Sequence, residues 1–359
     1  MPNKPYKVQA AAQLLATTTD TVRRMIDESG VQVMRQESGS KTRLFSIENI
    51  FELAAYRANR RKLKSVRKDP VVVTMYAPKR GFGTTMFASN FGILFSLKGF
   101  RTLIIDLDFQ AKLTHNFGYD SELTPEEAAE GTNPTKLVEY HFGHVTPNYP
   151  MGRVALHKVI KKPFGEYGPH VVPADLSLDK LDEVLTYGTT EGKSNDLAFA
   201  RLIMEGSSKE DENFDVSNYD IVLFDAAPAM NRITRSALLA ADYVVSPVSI
   251  ENFSSKGLAY LSNAMKEIKS QSERNPELIL VGNFFDPNRV RVMGRLMAIT
   301  QTYEDAWLDH SIQSSEDFSK ALNGGLDLPL VLSLPGSQTA AELSASADEL
   351  LVRMGLIDE

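Results

Sequence analysis

Residues 79–85 read Lys-Arg-Gly-Phe-Gly-Thr-Thr. An apolar strand pattern, Val71-Val72-Val73-Thr74-Met75, precedes them, and residues 86–97 follow with apolar positions at helical spacing. Strand, glycine loop and helix in that order make a frame for holding phosphate. Backbone N–H groups of Gly81, Phe82 and Gly83 can wrap an anion, and the helix N-terminus adds partial positive charge. The standard loop of this kind carries lysine just before its last Ser or Thr. Here Thr84 takes that place, and the lysine stands at the loop entrance instead, as Lys79, followed by Arg80.

Acidic strand ends follow. Leu103-Ile104-Ile105-Asp106-Leu107-Asp108-Phe109-Gln110 sets two carboxylates at the end of a buried strand. Tyr219-Asp220-Ile221-Val222-Leu223-Phe224-Asp225 ends four apolar residues on an aspartate, the Walker B pattern. Ligands of doubly wound sheets bind at the carboxyl ends of strands, so both motifs arrive where the loop holds phosphate. Mg²⁺ takes hard oxygen ligands and keeps several waters. Thr85 can ligate it directly, Asp225 can hold a water of its shell, and Asp106 adds a neighbouring carboxylate. Asp108 is placed to orient or deprotonate an attacking water. A lone strand-end aspartate is as often a solvated cap; three in this order behind a glycine loop point to a metal–phosphate site.

The remaining pattern supplies the scaffold. Apolar runs at 102–107, 219–224, 243–247 and 278–283 alternate with helical segments, which predicts an α/β fold with a doubly wound, mostly parallel sheet. The 359 residues leave room for one large domain and a small one, and 43% hydrophobic with 24% charged content is that of a globular chain. With no cysteine, disulfides, thiol catalysis and cysteine-ligated clusters are excluded, which fits a reducing cytoplasm. No apolar run reaches about 18 residues and the first ten lack a signal-peptide core, so no membrane association is expected. The six histidines are scattered and suggest no zinc site.

Charge is divided unevenly. Residues 1–70 carry 14 Lys and Arg against 7 Asp and Glu, leaving 25 against 39 for the rest. A basic arm on an acidic body suggests a polyanionic partner. Residues 1–66 read as a separate unit, with 67–359 as the nucleotide-binding domain. Helices are expected at 8–15 and at 21–28, the second capped by Thr19 or Asp20. Short strands at 31–35 and 42–45 flank a tip at 37–41, and Ser46 caps a helix reaching about residue 65. Seven basic residues fall between Arg57 and Lys68. This order, with Thr21-Val22-Arg23-Arg24 and Arg43-Leu44-Phe45-Ser46, resembles the winged helix of MerR-type regulators. The resemblance implies that Thr21, Arg23 and Arg24 approach bases or phosphates in a major groove, with Lys41 and Arg43 reaching backbone from the wing. The rival reading is a helical dimerisation arm whose charges are simply solvated.

The loop from Lys79 to Thr85, the segment Asp106 to Gln110 and Asp225-Ala226-Ala227-Pro228 resemble the deviant Walker box family, and within it the ParA-type partition ATPases. Val171-Val172-Pro173-Ala174 followed by Leu178, the stretch 236–242, and Pro247 before Ser254 agree, so the resemblance covers nearly the whole chain. It implies a homodimer bound to ATP or ADP with Mg²⁺, nucleoid-associated in the cytoplasm. It also implies nonspecific DNA binding, operator binding through the winged helix, and a ParB-like centromere-binding partner that stimulates hydrolysis. By position, Lys79 matches the signature lysine that crosses the dimer to the neighbour's phosphates, and Thr85 the Mg²⁺ ligand. Asp108 matches the residue needed for hydrolysis and Asp225 the Walker B aspartate. Asn283 resembles the adenine-contacting asparagine, and Pro335 lies near a second adenine-side loop. Arg289, Arg291 and Arg295, in a helix expected after Pro287, are candidates for sequence-independent phosphate contact or a solvated face.

Two departures put activity in question: Arg80 stands where the family has glycine, and Thr84 where it has lysine. A loop lysine is worth roughly 4 kcal/mol at 4 Å and an effective dielectric near 20. Losing it weakens nucleotide binding, hydrolysis or both unless Arg80 supplies the charge. The sequence therefore leaves a partition ATPase and a catalytically weak, repressor-type pseudo-ATPase both standing. Metabolic relatives of the fold are a third class. The missing cysteines exclude an iron–sulfur ATPase, and the basic arm argues against an amidating synthetase.

Overall fold

The computed structural model describes residues 5–36, 41–61, 69–129, 134–187, 195–250, 255–271, 275–283, 285–286 and 288–358. The wing tip at 37–40, the basic run after Arg61, Ser254 and Pro287 lie outside them.

The chain opens with β1 (Tyr6–Lys7), α1 (Val8–Leu14) and α2 (Thr19–Ser29). Thr18, not Thr19 or Asp20, caps α2: its Oγ1 accepts the Thr21 N–H at 3.2 Å. The helix thus starts earlier than the apolar pattern announced, because the cap lies outside the periodic stretch. β2 (Met34–Arg35) and β3 (Arg43–Phe45) are shorter than expected. β1 joins them as an unanticipated third strand, in the order β1-β3-β2, with Tyr6 opposite Phe45. α3 (Ile47–Arg61) starts with reciprocal capping, in which Asn49 N–H donates to Ser46 Oγ and Ser46 N–H donates to Asn49 Oδ1, each at 3.2 Å.

Body strands β4 (Val71–Met75), β5 (Thr102–Asp106), β6 (His170–Val172), β7 (Ile221–Asp225), β8 (Tyr243–Ser249) and β9 (Glu277–Asn283) form one parallel sheet ordered β6-β5-β7-β4-β8-β9. β4, β5 and β7 are buried throughout, as continuous apolar runs covered on both faces require. Register places Asp106 opposite Asp225, and Met75 opposite Asp225 on the other side. Loop, first acid and second acid therefore leave the sheet at one level.

The N-terminal segment and the body share one hydrophobic core. α4 (Thr84–Lys98) is the helix expected from the apolar spacing at 86–97, and it is buried on all its faces from Met86 to Leu97. α3 covers part of its surface and the helix Gln338–Arg353 covers more. Phe51 of α3 stacks on Phe164 at 5.9 Å, and Phe164 meets Phe117 at 5.8 Å. Arg57 belongs to the basic run, yet it donates to the Leu15 carbonyl and, at 3.2 Å, to the Leu97 carbonyl at the end of α4. A cation there complements the helix dipole.

α3 presses closely at Gly99, which ends α4 with φ 100°; a Cβ at this position would stand 2.2 Å from the Ala58 Cβ. Gly99→Ala combines left-handed strain of about 1–2 kcal/mol with overpacking of about 1–3 kcal/mol. We expect its thermal midpoint to fall well below wild type while the exposed Gly355→Ala, which shares the positive φ but meets no atom within 4 Å, falls less. Equal losses would mean that α3 does not press on α4. Among the described residues no helix is long and apolar enough to cross a membrane.

Candidate functional site

The loop between β4 and α4 turns on two glycines, Gly81 at φ 83° and Gly83 at φ 88°, where a side chain is strained. Gly83 also has the Asn283 Nδ2 at 3.4 Å and Phe318 at 3.5 Å from where a Cβ would stand. Lys79, Arg80 and Gly81 are exposed, whereas Phe82, Thr84 and Thr85 are half-buried. Lys79 Nζ lies 5.7 Å from the centre of the Phe82 ring, so it rests on its own loop.

A cleft of about 490 Å³ opens at this loop. Lys79, Arg80, Gly81, Gly83, Thr84 and Thr85 form one wall. Asp108, Lys112, His115 and Asn116 form a second, and Ala226 and Pro228 after β7 contribute to the floor. A fourth side, which the sequence did not announce, comes from Ala321, Leu322, Asn323 and Gly324 at the end of the helix Glu316–Leu322. The loop Asp108–Ala111 is a tight turn: Ala111 N–H donates to the Asp108 carbonyl at 2.8 Å and Gln110 N–H to Asp108 Oδ1 at 3.0 Å.

Asp106 and Asp225 are fully buried neighbours with different duties. Asp106 Oδ2 accepts from the Thr114 N–H at 2.9 Å and the Thr114 hydroxyl at 2.7 Å, while Oδ1 accepts the Asp108 N–H at 3.1 Å. These bonds engage both oxygens and anchor α5 (Lys112–Asn116) to the strand end. Burial pushes its pKa up to about 7 despite those donors. Asp225 has no hydrogen-bond partner on either oxygen among the described residues. Burial first and the Asp106 charge second hold its pKa well above the carboxylate range, and the Thr85 hydroxyl offsets only part of this. A buried carboxylate left unpaired beside a hydroxyl and a phosphate-type loop fits a hydrated divalent cation, with Thr85 and Asp225 as the groups that would hold it.

Other expected residues fall elsewhere. Asn283 is fully buried and is not among the residues lining the cleft; its Nδ2 donates to the Phe82 carbonyl, tying the loop to the end of β9, while its Oδ1 has no partner among the described residues. Pro335 is half-buried and also absent from the cleft wall, close to where Gly336 meets Gln13 of α1. Thr114, which the strand patterns did not flag, is central: its hydroxyl also accepts the Ala174 N–H at 2.9 Å, linking the site to β6.

The predicted DNA-facing residues divide. Arg24 and Lys41 are exposed with no ion pair among the described residues. Arg23 pairs with Asp20 at 2.7 Å, and Arg43 pairs with Asp27 at 2.8 Å rather than extending freely from the wing. Thr21 is half-buried, with its hydroxyl 2.9 Å from that of Thr18. Arg291 and Arg295 are exposed on the helix Val290–Thr302, and Arg289, which precedes it, meets Asp286 at 3.3 Å. The histidines are not all scattered: the His141 and His144 rings meet edge-to-face at 4.5 Å in a buried cluster. His141 Nδ1 accepts the Gly143 N–H at 3.0 Å and Nε2 meets the Ser177 hydroxyl at 2.9 Å, so the ring is a satisfied neutral support whose pKa burial lowers to about 4.

Comparison with known proteins agrees with this geometry. A family model described as "AAA domain" (AAA_31) matches residues 71–279. A "Putative replication protein A" of Rhizobium rhizogenes is 29% identical over 273 residues, covering 72% of this chain and 62% of that protein. The "Chromosome-partitioning ATPase Soj" of Treponema pallidum is 24% identical over 253 residues, 70% of this chain and 85% of its own. A solved "Cobyrinic Acid a,c-diamide synthase" of Mycobacterium smegmatis with bound ADP and magnesium superposes with TM-score 0.59, 19% identity and coverage of 80% and 96%. A "putative plasmid partition protein" of Borrelia burgdorferi bound to AMPPNP gives TM-score 0.55, 20% identity and coverage of 80% and 100%. At such identities the structures show the shared P-loop fold and do not separate a synthase from a partition protein. The family match and the sequence relatives do: this chain belongs to the AAA domain family AAA_31, the ParA/MinD-type partition ATPases.

Proposed function

We propose that this protein is an ATP-dependent DNA-partition protein whose nucleotide, with Mg²⁺, occupies the cleft at 79–85. The observation that carries the reading is the unpartnered, buried Asp225 carboxylate next to Thr85, below a cleft edged by Lys79 and Arg80. Mg²⁺ there would neutralise that carboxylate and the phosphate charge together. Thr85 and Asp225 hold the cation, the loop amides hold phosphate, and Asp108 orients the attacking water. Bound triphosphate favours a homodimer in which Lys79 leaves Phe82 and reaches the neighbour's phosphates. Residues 5–61 form the operator-binding unit through Arg23 and Arg24, with Arg291 and Arg295 as nonspecific contacts, and a ParB-like protein is the partner.

Thr84 favours a second reading, a repressor that binds nucleotide without turning it over. Fluorescence anisotropy on random-sequence duplex, with and without a non-hydrolysable ATP analogue, separates the two. The partition reading expects binding that needs the analogue and weakens steeply with salt. It also expects Arg23→Ala to lose roughly 1–3 kcal/mol on operator DNA if that side chain reads a base. Random-DNA binding that ignores nucleotide, together with no turnover when DNA and partner are present, would leave the repressor reading.

A further inference from the structure

The cleft has a cation that the loop motif does not include. Lys112 opens α5 and lines the same cleft as Thr84 and Asp108. It is exposed, and no ion pair or hydrogen bond engages it among the described residues. Its placement is not that of a loose surface lysine. The preceding Ala111 is fully buried and adopts φ 51°, ψ 31°, a left-handed conformation that L side chains rarely take. That turn is closed by the Asp108 carbonyl at 2.8 Å. Below it, Asp106 holds the Thr114 amide and hydroxyl, fixing α5 to the end of β5. The backbone that carries Lys112 is therefore tied to the strand bearing the acidic residues, while its ammonium stays free.

We propose that Lys112 supplies, from a second segment lining the cleft, the phosphate-directed charge that Thr84 cannot, and that it acts on the terminal phosphate of a nucleoside triphosphate. The terminal phosphate is the target because Lys112 directly follows the tight turn opened by Asp108, the residue read above as orienting the attacking water. A lysine is suited to this: its ammonium is a compact charge on a flexible stem that reaches across a gap without a fixed fork geometry. His115 lies one turn further on, with its Nε2 3.0 Å from the Ser121 hydroxyl, leaving Lys112 as the cation that α5 brings to the cleft.

This inference rests on the nucleotide reading above, and calorimetry on the full chain with Mg²⁺ distinguishes the two. ADP and a non-hydrolysable ATP analogue are titrated into wild type, Lys112→Gln, Lys112→Arg, Arg80→Gln, Thr84→Lys and the double variant Thr84→Lys with Lys112→Gln. Lys112→Gln should weaken the triphosphate analogue about tenfold or more, the scale of one charged hydrogen bond, and change ADP much less. Lys112→Arg should retain most of the affinity, and Thr84→Lys should restore the double variant while adding less to wild type. Melting curves of the Lys112 variants should coincide with wild type, because that side chain is exposed. The inference is overturned if Lys112→Gln leaves the triphosphate-to-diphosphate ratio unchanged, if Arg80→Gln alone produces the selective loss, or if Thr84→Lys tightens wild type and the Lys112→Gln background equally. Wild type binding neither nucleotide overturns the nucleotide reading, and this inference with it.

Discussion

Asp225→Asn will raise the thermal midpoint of the metal-free protein and remove the stabilisation that Mg²⁺ with nucleotide confers. The wild-type side chain is buried with both oxygens unpartnered, beside the equally buried Asp106. An unsatisfied buried polar group costs about 1–3 kcal/mol, more when charged. At roughly 2–4 °C per kcal/mol for chains of 150–250 residues, relief should amount to several degrees. The pH dependence carries the same signature. Both folded pKa values lie above the ordinary aspartate value, that of Asp106 at about 7. The folded state therefore holds more protons than the unfolded state, and the stability tied to those protons is complete below about pH 4. It is lost as pH rises through the elevated folded values. Metal-free wild type should lose stability between about pH 5 and 8, Asp225→Asn should lose less, and Mg²⁺ with ADP should help wild type more at the upper end because metal displaces protons. Melting scans across that range check it; parallel curves for the two proteins would mean that Asp225 is not an unpaired carboxylate.

Removing the N-terminal unit will damage the body. Phe51 is fully buried and stacks on Phe164, Arg57 closes the carbonyl ends of two helices, and α3 covers the part of α4 that the helix Gln338–Arg353 does not. Phe51→Ala should cost about 3–5 kcal/mol, as phenylalanine truncations in packed cores do. A chain starting at residue 67 should melt far lower or aggregate through the exposed apolar face of α4. A truncated chain that melts with the full one would show two independent domains. The unit's DNA role is therefore tested by Arg23 or Arg24 substitutions, which leave this shared core intact.

The legible parts were those set by local pattern. Apolar runs closed by aspartate located β5 and β7 within two residues, because strands buried on both faces need no partner information to be recognised. Glycines at 81 and 83 marked the loop, because positive φ selects glycine directly. What depended on long-range packing was not legible. β1 and β6 are only two and three residues long and are defined by their neighbours, Phe45 and Leu103. The periodicity of α4 could not report that α3 would cover it. Asp106 and Asp225 look alike in sequence; only Thr114, eight residues after Asp106, separates an occupied carboxylate from a free one. The basic count of the arm overstated its free charge, since Asp20, Asp27 and Glu28 take up Arg23, Arg43 and Arg60.

Titration calorimetry of ADP into the full chain, with Mg²⁺ present and then chelated, tests the central claim most directly, with Thr85→Ala as comparator. Saturable binding of one nucleotide per chain, tightened by Mg²⁺ in wild type and indifferent to it in Thr85→Ala, is the predicted result. No heat at millimolar nucleotide, or binding that neither Mg²⁺ nor Thr85→Ala alters, would contradict a metal–nucleotide site at this loop.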